Sequence, residues 1–140
     1  MEKIEIIRNR YIKSLLLKFQ RQYLVGNLLM PQELQNINDD NVEVGITYCK
    51  KYKVDAAHYH TACTEYQYVI AGKSKYLDLD TKQVYEVKKG DFFVIRPSTK
   101  YYQKSVKGTK ILFFKFPAGN DKQIVELNEE EIKWGKKYCL

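Results

Sequence analysis

The chain has 140 residues, 44% of them hydrophobic, which is enough for one domain to bury a core without disulfide staples. Lys and Arg outnumber Asp and Glu by 24 to 17, but they are scattered among acids, with no basic helix or RGG-like segment, so nucleic acid is not the expected partner. No run approaches the ~20 apolar residues of a spanning helix, and MEKIEIIRNRYIKSLLL makes a poor signal peptide, so no membrane partner and a cytoplasmic location are expected.

Twelve tyrosines and six phenylalanines favour strands over a helical bundle. In chain order, SLLLKF at 14–19 reads as a strand and the polar segment from Met30 to Asn41 as a short helix plus loop. Strands follow near 42–53, 64–71, 74–79, 83–87, 92–95, 101–106 and 109–116. Gly72, Asp80-Thr81, Lys89-Gly90-Asp91 and Pro97-Ser98 separate them, and Gly108 is placed to close a tight hairpin between the last two. Turn signals at roughly ten-residue intervals point to an all-β sandwich or barrel. Beyond Pro117 and Gly119, Asn120 and Asp121 read as turn residues. Asn128 is a predicted N-cap with Glu131 at the third helical position, starting a helix over about 129–138 that Trp134 packs onto the barrel. No linker divides residues 1–140. Cys49, Cys63 and Cys139 are odd in number and lack CxxC spacing, as suits reduced thiols.

The only two histidines fall in HYHTACTE, residues 58–65. On a strand, residues two apart share a face, so His58 and His60 project together. Glu65 begins the next strand, and if that strand pairs with the first, the three side chains meet. Two imidazoles and a carboxylate suit Fe, Mn, Zn or Ni as divalent ions; the alternative is polar filling of a barrel interior. With Glu65 inward, Gln67 and Val69 face in and Tyr66 and Tyr68 face out. Gln67 is either core filler or a substrate contact. Cys63 lies beside the site as a bystander.

His58-x-His60-x4-Glu65-x6-Gly72 resembles the first motif of the cupins, with Tyr52 where that motif opens on glycine. The second motif begins at Gly90 and then departs, with Arg96 at its proline, Ser98 at its glycine and Tyr101 at its histidine. The resemblance covers about residues 42–117. It implies a cupin-type double-stranded β-helix (jelly-roll) barrel with a short C-terminal helix. It also implies a divalent first-row metal on His58, His60 and Glu65, with Tyr101 or the amide of Gln103 as fourth ligand. The metal-free version pairs a histidine base with Tyr101 as acid, as in cupin-like sugar-nucleotide isomerases and epimerases. A register one residue later puts Tyr102 in that role. Gln67 and Gln103 are expected to bind substrate, and Arg96, placed at the mouth, either meets a phosphate or carboxylate of the substrate or serves only at the surface. The expected function is isomerisation or epimerisation of a small polar metabolite, a sugar phosphate or nucleotide sugar. Metal-dependent dioxygenation and non-catalytic ligand sensing are the alternatives. Apolar IEII, SLLL and YLVGNLLM in residues 1–29 predict a homodimer.

Overall fold

The computed structural model describes residues 2–138, so Cys139 lies outside the described residues. Helix α1 (Asn9–Lys18) leads into strands β1 (Arg21–Val25), β2 (Glu43–Tyr48), β3 (Lys53–Val54), β4 (His58–His60), β5 (Thr64–Ala71), β6 (Lys73–Asp78), β7 (Val84–Lys88), β8 (Phe92–Ile95), β9 (Tyr101–Ser105), β10 (Lys110–Phe116) and β11 (Lys122–Ile124), and helix α2 (Glu129–Lys136) closes the chain. Two antiparallel sheets face each other. One has the order β1-β2-β10-β5-β8; the other runs β11-β4-β9-β6-β7, with β3 also paired to β9. This is the double-stranded β-helix that the resemblance over about residues 42–117 implies. No helix among the described residues is long and apolar enough to cross a membrane.

Alternation along the strands builds the interior. In β5, Glu65, Gln67 and Val69 are buried while Tyr66 and Tyr68 are exposed. In β10 the buried set is Ile111, Phe113 and Lys115. Val69, Tyr76, Val87, Tyr101 and Ile111, with Phe93 and Ile95 against them, pack the space between the sheets. A second cluster lies outside the β4-β9-β6 sheet, where Ala57, Leu77, Leu79 and Tyr102 meet Val54, Val125, Leu127 and Trp134. Helix α2 begins as expected, with a full capping box between Asn128 and Glu131. Its C-terminal carbonyls at Trp134 and Lys137 accept from Lys104 Nζ, which also sits over the Trp134 ring. Gly72 has φ +82°, and a Cβ there would lie 2.4 Å from the Thr109 backbone, so the corner tolerates glycine alone.

Four expectations are corrected. SLLLKF is mostly helix: in α1, Ile12, Leu15 and Leu16 recur at helical spacing towards the barrel, while Leu17 is exposed. The Met30–Asn41 segment forms no helix and instead lies beside β1, with Ile37 bridged to Val25 and the Gln32 amide bonded to both backbone groups of Tyr23. The run 42–53 breaks at Cys49–Tyr52, where the chain leaves one sheet for the other as β3. Gly108 closes no hairpin, because β9 and β10 belong to different sheets; its turn is a corner of the barrel.

Candidate functional site

The two histidines reach the interior from β4, while Glu65 comes from β5 in the opposite sheet. The strands therefore do not pair, and the side chains approach each other across the barrel. They line a cavity of about 430 Å³ together with Gln67, Tyr101 and Gln103. That volume is in the range of small-molecule sites.

Tyr101 is the register partner of His58 and points inward, while Tyr102 points out to Trp134. His58 Nδ1 lies 2.8 Å from the Ala56 carbonyl, which can only accept, so Nδ1 carries the proton. Nε2 is then an acceptor, and the Tyr101 hydroxyl donates to it at 3.0 Å. Burial, aided by the Lys122 and His60 charges and opposed by the Ala56 bond and Glu65, lowers the His58 pKa below 6.5. Burial and the Glu65 charge hold the Tyr101 phenol well above 10. A neutral base and a protonated phenol thus share one hydrogen bond.

His60 is in the opposite condition. Its Nδ1 lies 2.8 Å from Asp121 Oδ1 and its Nε2 3.3 Å from Glu65 Oε1. Burial opposes the charge, but hydrogen bonds with Cys63, Glu65 and Asp121 outweigh it and raise His60 to about 10. Both carboxylates are held below their usual range. Burial works against Glu65's charge, and the His60 hydrogen bond overcomes it. Asp121 likewise overcomes burial by accepting from the Ala62 and Cys63 backbone N–H groups at 2.8 Å each and from His60. Glu65 Oε2 also accepts from Gln67 Nε2 at 2.8 Å, and Gln67 Oε1 accepts from Tyr76 at 3.3 Å.

The donor atoms of the expected metal set are therefore engaged, partly with one another and partly with Asp121 and Gln67. His58 Nε2 accepts the Tyr101 hydrogen bond, His60 gives to a carboxylate at each nitrogen, and both Glu65 oxygens are engaged. The grouping within 4.8 Å among the described residues is a different one, His60, Cys63 and Asp121, which could hold a metal ion. Of the expected set, His58, Glu65 and Tyr101 stand outside it.

Of the expected substrate contacts, Gln67 and Gln103 line the cavity, Gln103 Nε2 donating to Ser105 at 3.3 Å. Arg96 does not. Phe93 and Ile95 pair with Gln67 and Glu65 and face in, whereas Arg96, just past the end of the strand, is exposed to solvent. Cys49 also lines the cavity, and its thiol is pushed up to about 11, chiefly by burial, which leaves it a poor nucleophile. Sequence reasoning missed Asp121, Lys115, Lys122, Arg21, Lys53 and Asp55. The alternation of KILFFKF could have placed Lys115 inside beside Phe113. Nothing local marks Asp121, whose role depends on β11 folding back beside β4.

No protein-family model matches the chain, and no curated protein matches it in sequence. Solved structures do resemble it in shape. A conserved Klebsiella pneumoniae protein with a double-stranded β-helix domain aligns over 70% of this chain and 90% of its own, at 16% identity and TM-score 0.55. Streptomyces Pac13, a nucleoside dehydratase, aligns over 66% of this chain and 74% of its own at 15% identity and TM-score 0.55, and a Pac13 variant has been solved with uridine. The polyketide cyclase RemF of Streptomyces resistomycificus aligns over 71% of each chain at 14% identity and TM-score 0.55. At these identities the likeness is one of fold: the chain is a double-stranded β-helix of the cupin-like kind.

Proposed function

We propose that the protein is a small cupin-fold enzyme performing acid–base chemistry on a polar metabolite, isomerising or epimerising a sugar phosphate or nucleotide sugar. The observation that carries this reading is the buried 3.0 Å bond from Tyr101 to His58 Nε2, with the tautomer fixed by Ala56. In the proposed cycle, a C–H proton next to a carbonyl passes to His58 Nε2 while Tyr101 gives its proton to the substrate. The imidazolium then returns its proton to the neighbouring carbon of the enediol while the phenolate takes the proton of the enediol's other hydroxyl, so the isomer leaves and both groups are back in their starting state. Because both groups occupy one wall, proton return to the same substrate face is favoured, which suits isomerisation better than inversion. A nucleoside dehydratase and a polyketide cyclase on similar folds support small-molecule chemistry in such a barrel.

The second reading is a metal centre. The grouping of His60, Cys63 and Asp121 favours it, since imidazole, thiolate and carboxylate together suit Zn better than Mn. Such an ion would supply Lewis acidity, and binding it would displace the His60–Asp121 hydrogen bond.

The test of the first reading is exchange of substrate C–H for deuterium in D₂O, followed by NMR over a set of sugar phosphates and nucleotide sugars. Tyr101→Phe should slow exchange by ~10²–10⁴-fold, the usual weight of a general acid, and Tyr102→Phe should not. Binding of these compounds without any exchange would turn the assignment to a non-catalytic cupin.

A further inference from the structure

The cavity carries charge that the acid–base pair does not use. Its lining includes Arg21, Lys53, Lys115 and Lys122, against the carboxylates of Asp55 and Glu65. Glu65 is taken by His60 at 3.3 Å, and Lys115 by Glu43 at 3.6 Å. What remains is Arg21, Lys53 and Lys122 around one acid, Asp55. None of these three cations has a carboxylate within ion-pair distance among the described residues.

Three separate strands deliver them. Arg21 opens β1, where its Nε donates to Thr47 Oγ1 at 3.2 Å and its guanidinium lies 5.3 Å from the Phe113 ring centre. Those two contacts fix the plane of the fork and leave its terminal NH₂ groups for a ligand. Lys53 opens β3, and Lys122 is the register partner of His60 on β11. Like charges gathered on one opening repel each other, and an acceptor with several anionic oxygens relieves that repulsion.

We infer that Arg21, Lys53 and Lys122 form a phosphate subsite, so that the substrate is a phosphorylated metabolite whose uncharged end reaches His58 and Tyr101. The inference rests on the acid–base reading for what happens at that uncharged end; the subsite itself does not need it. A phosphate near neutral pH carries roughly two negative charges on three oxygens, which matches one fork and two ammonium groups. The cavity of about 430 Å³ leaves room for a sugar-sized body beside it.

The experiment is calorimetric titration of inorganic pyrophosphate into the full chain at low salt and pH 7. Saturable binding is expected, weakened about tenfold or more in Lys122→Met and in Arg21→Lys, which keeps the charge but loses the fork. Lys107→Met removes the same charge from an exposed turn and should change affinity by less than about twofold. Thermal melts check that each variant folds, and Lys53→Met serves if either of the first two does not. No saturable binding by the wild type, or equal weakening in Lys107→Met, overturns the subsite. Malonate binding as tightly as pyrophosphate overturns its assignment to phosphate. Tyr101→Phe should bind pyrophosphate like the wild type. A chain that binds pyrophosphate but exchanges no substrate proton refutes the acid–base reading and leaves the subsite standing.

Discussion

Two imidazoles whose ring centres are 5.2 Å apart shift in opposite directions because burial dominates at His58, while at His60 burial is outweighed by hydrogen bonds with Cys63, Glu65 and Asp121. With only two histidines in the chain, NMR of the ring nitrogens separates them readily. His58 should gain its proton below its ordinary 6.5, and His60 should keep its own until about pH 10. A His60 resonance titrating near neutrality would remove the paired-imidazolium description. Asp121→Asn should bring His60 down towards the ordinary range and destabilise the fold by about 1.5–3 kcal/mol, the usual size of a hydrogen bond to a charged group. Thermal melting checks the second effect and the same NMR titration the first. The residues His58, His60, Glu65, Gln67, Tyr101 and Gln103 were legible because strand parity and a motif-like spacing select them. Asp121 was not, since a carboxylate in a Gly-Asn-Asp turn has no local mark of a distant imidazole.

At the scale of elements, alternating strands were legible and connections were not. With Glu65 turned inward to meet the histidines, strand parity puts Gln67 and Val69 on the same face of TEYQYVIA, and β5 follows it from Glu65 to Val69. A triple leucine has no period of its own, so SLLLKF fits strand and helix equally until packing decides. A glycine between two strands likewise does not say whether they pair or part, and at Gly108 they part. The capping box of α2 was readable because its chemistry is confined to four consecutive residues, Asn128 to Glu131. Asn128→Ala should therefore cost about 1 kcal/mol, measured by denaturant unfolding. Gly72→Ala should cost more, about 1–3 kcal/mol from the positive φ alone, with the Thr109 contact added to it.

For the whole molecule, the buried Asp121–His60–Glu65 array makes stability depend on pH from both sides. His60 is raised, so its contribution is complete below 6.5 and is lost as the pH climbs towards about 10. Glu65 and Asp121 are lowered, so theirs is complete above their ordinary 4.5 and 3.8 and is lost as the pH falls. The melting temperature should peak between these limbs, and His60→Gln should remove most of the alkaline decline. Self-association remains our proposal for the quaternary state. β1's free edge is already covered by the segment around Ile37, so the surface better suited to a second copy is the outer face of the β10-β5-β8 sheet, where Tyr66, Tyr68, Phe92, Val94 and Phe114 are exposed. Sedimentation should find a dimer at micromolar concentration, and Phe92→Lys should shift it to monomer.

The bond between His60 and Glu65 also has a mechanical meaning. It spans the gap between the two sheets, one end on β4 and the other on β5, with both side chains almost wholly out of water. It acts as a strut that sets how far apart the barrel walls stand. A guest too bulky for the resting width must pull that strut apart, leaving His60 to Asp121 and the buried Glu65 charge to the Gln67 amide. The girth of the molecules admitted is thus governed by an ion pair that need never touch them.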